Sequence, residues 1–180
     1  FRMGNLMYGI ENESMKLADT FYLYSKAISI KCLQPGEAVG YDFCYKAEKT
    51  SYVAILPIGY GDGFAKSNIG NRVQFGDKCY DIVGVTMDIT LVLVDETVKQ
   101  GQECRMIMGN RHLDAIAAHA NSIAEEILCC LNTRIPRLYV EKYFSPDAKK
   151  RMQTLPKSRF CSCTSAICTN ILSLPRSRSK

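Results

Sequence analysis

The stretch Thr50-Ser51-Tyr52-Val53-Ala54-Ile55-Leu56-Pro57-Ile58-Gly59-Tyr60-Gly61-Asp62-Gly63 decides how this chain is read. Its first part, 50–58, is short, apolar and rich in Tyr, Val and Ile, the composition of a strand. Its second part holds three glycines in five residues, and glycine permits backbone conformations that other residues resist. A strand that empties into such a loop is a place where sites are often built, because loops on a rigid scaffold carry function. On the residues alone, the plainer reading of a structural turn stays open.

Outward from that stretch the same β pattern recurs. Residues Met3 to Ile10 read as a short strand entering a turn, and Phe21 to Leu33 alternate as a strand does. Gln34-Pro35-Gly36-Glu37 is a turn, with Pro presetting φ and Gly taking the left-handed position. Ala38 to Tyr45, Leu91 to Val94 and Glu103 to Met108 are further strands. Asn71 to Phe75 and Lys78 to Val85 form a hairpin around Gly76-Asp77. The period then changes. Leu113, Ile116, Ala117 and Ala120 make a helical stripe. A second helix is capped by Asn121 or Ser122, with Glu125 three residues after Ser122 as in a capping box. Ile123, Ile127, Leu128 and Leu131 face the core, Pro136 stops the helix, and Leu138 to Tyr143 is a last strand. Many short strands followed by two short helices predict a mainly β (α+β) domain ending near Phe144.

Length and charge bound the rest. A chain of 180 residues suits one domain with a tail. The net charge of +5 misleads, because residues 146–180 hold eight basic residues against one acid, Asp147. That tail carries +7 and leaves −2 over residues 1–145, so the core gives a nucleic-acid role little support. The tail is rich in Ser, Lys, Arg and Cys without periodicity and reads as disordered; its abrupt change of composition also suits an out-of-frame translation. The start, Phe1-Arg2-Met3-Gly4, has neither an initiator Met nor an apolar leader and reads as the interior of something longer. No apolar run approaches the roughly 20 residues of a membrane span. The nine cysteines contain no CxxC pair and only two histidines accompany them, so they read as reduced thiols of a cytoplasmic protein, with no metal site.

Three local features could carry chemistry. In Arg2-Met3-Gly4-Asn5, a glycine at a strand end lets backbone N–H groups approach an anion, and an arginine can donate to a ring nitrogen or phosphate. In Val39-Gly40-Tyr41-Asp42, a tyrosine at a strand start could transfer protons, provided a cation or donors make the phenol more acidic. The third is the Ile58 to Gly63 loop together with Gly84-Val85-Thr86-Met87-Asp88. For each, an ordinary structural role is the competing reading.

Together these stretches resemble the alanine racemase family over residues 1–143. Its Arg-x-Gly-x-x-x-Tyr-Gly segment stands here as Arg2 to Gly9, and Gly-Glu-x-Val-x-Tyr as Gly36 to Tyr41. Ile-Gly-Tyr-x-Asp-Gly stands as Ile58 to Gly63, Val-Gly-x-x-Met-Asp as Val83 to Asp88, and the closing Arg-x-Pro-Arg as Arg134 to Arg137. Any one motif is weak; five in order at these spacings are specific.

The resemblance implies a two-domain enzyme. An N-terminal (β/α)8 barrel holds pyridoxal 5'-phosphate on a lysine, and a C-terminal β-barrel-like domain completes the partner's site across a homodimer. Residues 1–12 would be the end of the barrel, 13–145 the β domain and 146–180 the basic tail. Racemisation of a small amino-acid substrate, alanine and/or serine, for cell-wall D-amino acid supply would then use two bases, of which Tyr41 is one. Arg2 would face the pyridine nitrogen, and Gly4 and Asn5 the phosphate. The N–H of Met87 would bind the substrate carboxylate, and Tyr60 and Glu125 would line its entrance. The cofactor lysine is absent from this segment: Lys26, Lys31 and Lys46 match no Schiff-base motif, so the fragment alone is expected to be inactive. Thr86 stands where the family often has Cys. Glu125 stands where it usually has a Tyr that reaches the cofactor phosphate, and a carboxylate there is repelled. The serine/alanine racemases of vancomycin resistance carry a smaller polar residue at that position, and Ala124 and Met3-Gly4-Asn5 also resemble that branch. The alternative is a non-catalytic β domain kept as a dimerisation or binding module.

Overall fold

The computed structural model describes residues 4–10 and 17–139. Seven strands form one antiparallel sheet: β1 (Tyr22–Lys26), β2 (Ser29–Leu33), β5 (Ser51–Leu56), β6 (Arg72–Phe75), β7 (Lys78–Val85), β8 (Thr90–Val94) and β9 (Glu103–Met108), in the order β1-β9-β6-β7-β8-β5-β2. The short strands β3 (Ala38–Val39) and β4 (Tyr45–Lys46) pair with each other, and the helices α1 (Asn110–His119) and α2 (Ala124–Cys130) follow the last strand.

The two edges of the sheet, β1 and β2, are consecutive pieces of one extended segment. Between them the chain bends at Ala27–Ile28. There the Ala27 N–H donates to the Gln102 carbonyl, and the Ile28 N–H donates to the Ile55 carbonyl at 2.9 Å. The expected single strand 21–33 is therefore two strands that serve opposite edges, which brings the two ends of the sheet onto one segment of chain and curls the sheet toward a barrel. A β-bulge between Leu23 and Tyr24 and another between Ile82 and Gly84 supply local bends.

Why residues 51–56 are apolar on both faces follows from the packing. Ala54 and Leu56 point into the main core with Leu23, Val73, Val92, Met106, Ile107 and Leu113. Val53 points to a second, smaller cluster with Leu33, Ala47 and Leu91, against which Val39 and Tyr45 pack. A strand covered on both sides reads as a continuous apolar run rather than an alternating one. The small cluster also seats the β3–β4 hairpin, whose connecting residues 40–44 carry Tyr41.

The hairpin of β6 and β7 turns at Gly76-Asp77, with Gly76 at φ +58°, as expected from the sequence. Helix α1 buries Leu113, Ile116 and Ala117 of the predicted stripe, while the fourth member, Ala120, is the half-buried C-cap just past the helix. Other expectations fail locally. Residues 4–8 form a 3-10 helix rather than a strand. Tyr41 lies in a 3-10 turn, Tyr41–Phe43, because Asp42 and Phe43 both adopt positive φ and break the expected strand 38–45. Helix α2 begins at Ala124 after an extended Ile123 that is 61% exposed, so neither Asn121 nor Ser122 caps it. The Ser122 hydroxyl bonds the Glu126 carboxylate instead of Glu125. Leu138 and Tyr139 are in no strand, while residues 140–143, the ends of the expected domains at 12, 13 and 145, and the tail lie outside the described residues.

Candidate functional site

Two loops meet at one end of the barrel. The Tyr60 N–H donates to the Thr86 carbonyl at 3.0 Å, and the Gly61 N–H to the Met87 carbonyl at 2.9 Å. A Cβ at Gly59 would overlap the Thr86 and Met87 carbonyls, so only glycine lets the loops approach this closely. The Thr86 N–H and hydroxyl both bond the Ile89 carbonyl and fix the second loop. The Thr90 hydroxyl donates to the Ile58 carbonyl at 2.7 Å and joins the two from beneath. Tyr60 and Met87 are thereby neighbours with outward side chains, 40% and 50% exposed.

Tyr41 reaches the same end by a different device. The Cys44 thiol sits in a niche beside Gly40 and Gly84, where a Cβ on either glycine would press into the sulfur. The Cys44 N–H donates to the Tyr41 carbonyl at 3.1 Å. The turn that presents Tyr41 is thus pressed against β7 two residues before Thr86. Tyr41 is 57% exposed and Phe43 is 76% exposed. Tyr60 and Met87 are exposed as well, so all four are large side chains left accessible in this structure.

Asn5 and Glu125 come together elsewhere, at a cavity of about 250 Å³. Its polar lining is Asn5, Tyr8, Thr20, Glu125, Cys129 and Arg137, and its apolar wall is Ile10, Phe21, Leu128 and Leu131. Tyr41, Tyr60 and Met87 do not line it. Gly4 is exposed beside Asn5 with open space around it, and Arg2 lies outside the described residues.

Residues without an assigned role in the sequence reading hold these parts in place. The buried Asn110 side chain donates to the carbonyls of Gly9 (2.9 Å) and Ala18 (3.1 Å) and accepts from the Thr20 N–H (3.3 Å). It thus ties the segments 8–10 and 18–20, which contribute to the cavity, to the start of α1. Asp19 caps α1 from a distance, its carboxylate accepting the Asn110 N–H at 2.8 Å. Asp62 accepts the Gly59 N–H with one oxygen and the Arg134 Nε–H with the other, at 2.9 and 2.6 Å. Asp62 and Arg134 stood in quoted motifs, a signal of importance without a role; Asn110 gave no signal. Away from the site, the Lys78 ammonium and Thr97 hold the Asp95 carboxyl well below the usual carboxylate range. Among the described residues no cluster of three or more His, Cys, Asp or Glu could hold a metal, and no helix is long and apolar enough to cross a membrane.

Comparison with known proteins gives the architecture a family. The family model described as "Alanine racemase, C-terminal domain" matches residues 20–139. The alanine racemase of Staphylococcus epidermidis is 34% identical over 152 residues, covering 77% of this chain and 39% of that protein. That of Lactobacillus acidophilus is 32% identical over 136 residues, covering 73% of this chain and 36% of that protein. Among solved structures, the alanine racemase of Bacillus anthracis with bound L-Ala-P superposes with a TM-score of 0.70 at 27% identity, over 76% of this chain and 39% of that one. The enzyme of Bartonella henselae with covalently bound pyridoxal phosphate superposes at 0.61 with 26% identity, over 66% and 34%. The chain therefore spans less than two fifths of the length of these four relatives.

Proposed function

The chain belongs to the alanine racemase family through its C-terminal domain, and from that premise we propose that it is the C-terminal part of a pyridoxal-phosphate-dependent racemase acting on alanine, serine or both. The observation that carries the proposal is the separation of the two groups of site residues. Asn5 and Glu125 share one cavity, while Tyr41, Tyr60 and Met87 stand outward on surface that does not line it. Two incomplete half-sites on one chain suit a homodimer in which the outward face of each subunit completes the cavity of the other.

The chain's share of such a site fits the cofactor. The cavity is walled by apolar side chains with Asn5 and Arg137 among its polar groups, next to an unobstructed Gly4 backbone. This is a suitable end for a phosphate on an aromatic ring. When bound, the cofactor supplies an electron sink that makes the substrate Cα–H acidic.

The residues of this chain then have separable roles. The Tyr41 hydroxyl holds the proton for one face of Cα, opposite the lysine on the other, and taking a proton from one face while returning it to the other inverts the centre. The Met87 N–H binds the substrate carboxylate, and Tyr60 narrows the approach. Arg2 would hold the ring nitrogen, and the Gly4 and Asn5 backbone would hold the phosphate. Glu125, a carboxylate where a phenol is usual, is an acceptor for a hydroxyl on the substrate and carries the serine reading. The 180-residue chain alone is inactive.

The test uses the holoenzyme that contains this chain. Tyr41→Phe lowers interconversion of L- and D-alanine by about 10²–10⁴-fold, the usual contribution of a positioned acid–base group, while cofactor absorbance is retained. Undiminished racemisation by that variant refutes the role of Tyr41. An intact holoenzyme that racemises neither alanine nor serine refutes the proposed function.

A further inference from the structure

We propose that Asp62 and Arg134 are a positioning pair that locks the Tyr60 and Met87 loops to the segment following α2, so that one bridge sets the outward face and the Glu125 cavity relative to each other. The inference rests on the reading of Tyr60 and Met87 as substrate-facing residues, and adds to it two residues that touch no substrate.

Asp62 is a buried carboxylate with three engagements that point in different directions. One oxygen accepts the Gly59 N–H at 2.9 Å, which closes the loop on itself. The other accepts the Arg134 Nε–H at 2.6 Å. The Asp62 main-chain carbonyl accepts the Asn132 N–H at 2.8 Å. The loop is further pinned at Gly63, which has φ +90° and lies so close to α2 that a Cβ would overlap the carbonyl of Cys130, the last residue of that helix. On its other side the same loop carries the bonds from the Tyr60 and Gly61 N–H groups to the Thr86 and Met87 carbonyls.

A continuous chain of contacts therefore runs from Met87 through Gly61 and Asp62 to Arg134, and from there along the backbone to Arg137. The Arg137 guanidinium donates to the Leu131 carbonyl at 3.1 Å, and both residues line the cavity that holds Glu125. An exposed ion pair between long side chains contributes little by itself. This one differs because the Asp62 side chain is almost fully withdrawn from water while also holding a backbone amide, and charge-assisted bonds to a withdrawn carboxylate are directional. Arg134 is fixed at its base as well, its N–H donating to the Asn132 side-chain oxygen at 2.9 Å. Its role is to hold a loop, and the hydrogen bonds of that loop report on it.

The experiment measures amide hydrogen exchange on the full 180-residue chain, for the parent, Arg134→Gln and Arg134→Lys, with Ile107 and Val92 as core reference amides. A positioning role predicts that Arg134→Gln speeds exchange at Gly59, Tyr60 and Gly61 about tenfold while the core amides change less than twofold, and that Arg134→Lys restores most of the protection. Unchanged exchange at the loop, or one uniform increase over the whole barrel, overturns the proposal. Asp62→Asn, which keeps an acceptor for Gly59 and removes the charge, is the second variant if Arg134→Gln does not fold, and the same pattern is required of it. In the holoenzyme, Arg134→Gln raises KM several-fold with kcat nearly unchanged, because Met87 and Tyr60 move without loss of Tyr41; an unchanged KM also overturns the proposal. The exchange arm requires no racemase activity, so it stands or falls separately from the proposed function.

Discussion

Asn110→Ala tests whether a single buried amide joins the two segments that build the cavity. In the parent, the amide nitrogen donates to Gly9 and Ala18 carbonyls and the amide oxygen accepts the Thr20 N–H, with the residue 5% exposed. Alanine removes these three bonds and a longer one from the Thr20 hydroxyl at 3.5 Å, and leaves two carbonyls and an N–H without the Asn110 amide. Each buried group stranded in this way costs about 1–3 kcal/mol, and water entering the vacated space recovers part of it. The bond from the residue 110 N–H to Asp19 survives, so the helix keeps its remote cap. The net loss is roughly 3 kcal/mol, which for a domain of this size lowers Tm by about 10 °C. Urea titration followed by circular dichroism at pH 7 measures it.

The companion variant Asn110→Asp separates hydrogen bonding from volume. It is nearly isosteric, but its carboxylate would face two carbonyl oxygens beside the Asp19 carboxylate that already accepts the residue's own N–H. It is therefore less stable than Asn110→Ala at neutral pH. The new carboxyl has a raised folded-state pKa, so the folded state binds the extra proton first and the deficit relative to the parent shrinks as pH falls toward about 4. An aspartate variant as stable as the alanine variant at pH 7, or a deficit that does not move with pH, refutes the account of Asn110.

Two further perturbations probe the scaffold. Burial holds the His112 imidazole below its ordinary value of 6.5, and the neutral ring accepts the Met108 N–H at 3.2 Å. The unfolded chain takes up that proton first, so stability is full above 6.5 and falls as pH drops from there toward the folded-state value. His112→Asn flattens this part of the pH–stability curve, and an unaltered slope in thermal melts contradicts the assignment. Gly63→Ala forces a side chain into positive φ and onto the Cys130 carbonyl, with a loss on the order of 3 kcal/mol, whereas Gly76→Ala meets only the positive φ and loses about 1 kcal/mol. Equal Tm shifts for the two glycines contradict the close approach at Gly63.

The parts of the fold that were legible in the sequence are those written into neighbouring residues. β9, β8, the β6–β7 hairpin and the α1 stripe each carry their own period or turn residue, and the structure places them within a residue or two of expectation. The illegible parts depend on distant partners. Nothing near Ala27-Ile28 announces that the chain crosses there from β9 to β5, because the bend is held by carbonyls and amides of Gln102, Gly101 and Ile55. Phe43 has no local reason to adopt positive φ; Val39 and Tyr45 on the small core set the hairpin, and the connection accommodates it. Ile123 looked like a core residue by spacing, but the helix begins one residue later and leaves it outside. In the site, motif order gave the residues, and only the three-dimensional arrangement gave their grouping. That the Tyr60 and Met87 loops lie side by side follows from two backbone hydrogen bonds, Tyr60 to Thr86 and Gly61 to Met87, each between residues 26 apart, which no spacing rule encodes.

That grouping also explains why small residues cluster where they do. A face that must project an aromatic ring toward another molecule cannot rest on long flexible side chains, since each ordered contact would then cost rotamer entropy on binding. Here the face rests on backbone. Gly59 lies against the Thr86 and Met87 carbonyls, Gly63 against the end of α2, and Gly40 and Gly84 against one thiol. Gly59 and Gly63 each remove a side chain so that two main-chain segments can touch, with main-chain hydrogen bonds fixing their separation, whereas Gly40 and Gly84 make room for the Cys44 sulfur. The loops bearing Tyr60 and Met87 are thereby held from the barrel side by Thr90 and from the helix side by Asp62 and Arg134. Tyr41, on a separate turn, is held through Cys44, the β3–β4 pairing and the small core. On the proposed reading this division matches the chemistry: the residues that orient the substrate sit on loops bonded to each other through their backbones, and the residue that moves a proton sits on a separate turn seated by packing.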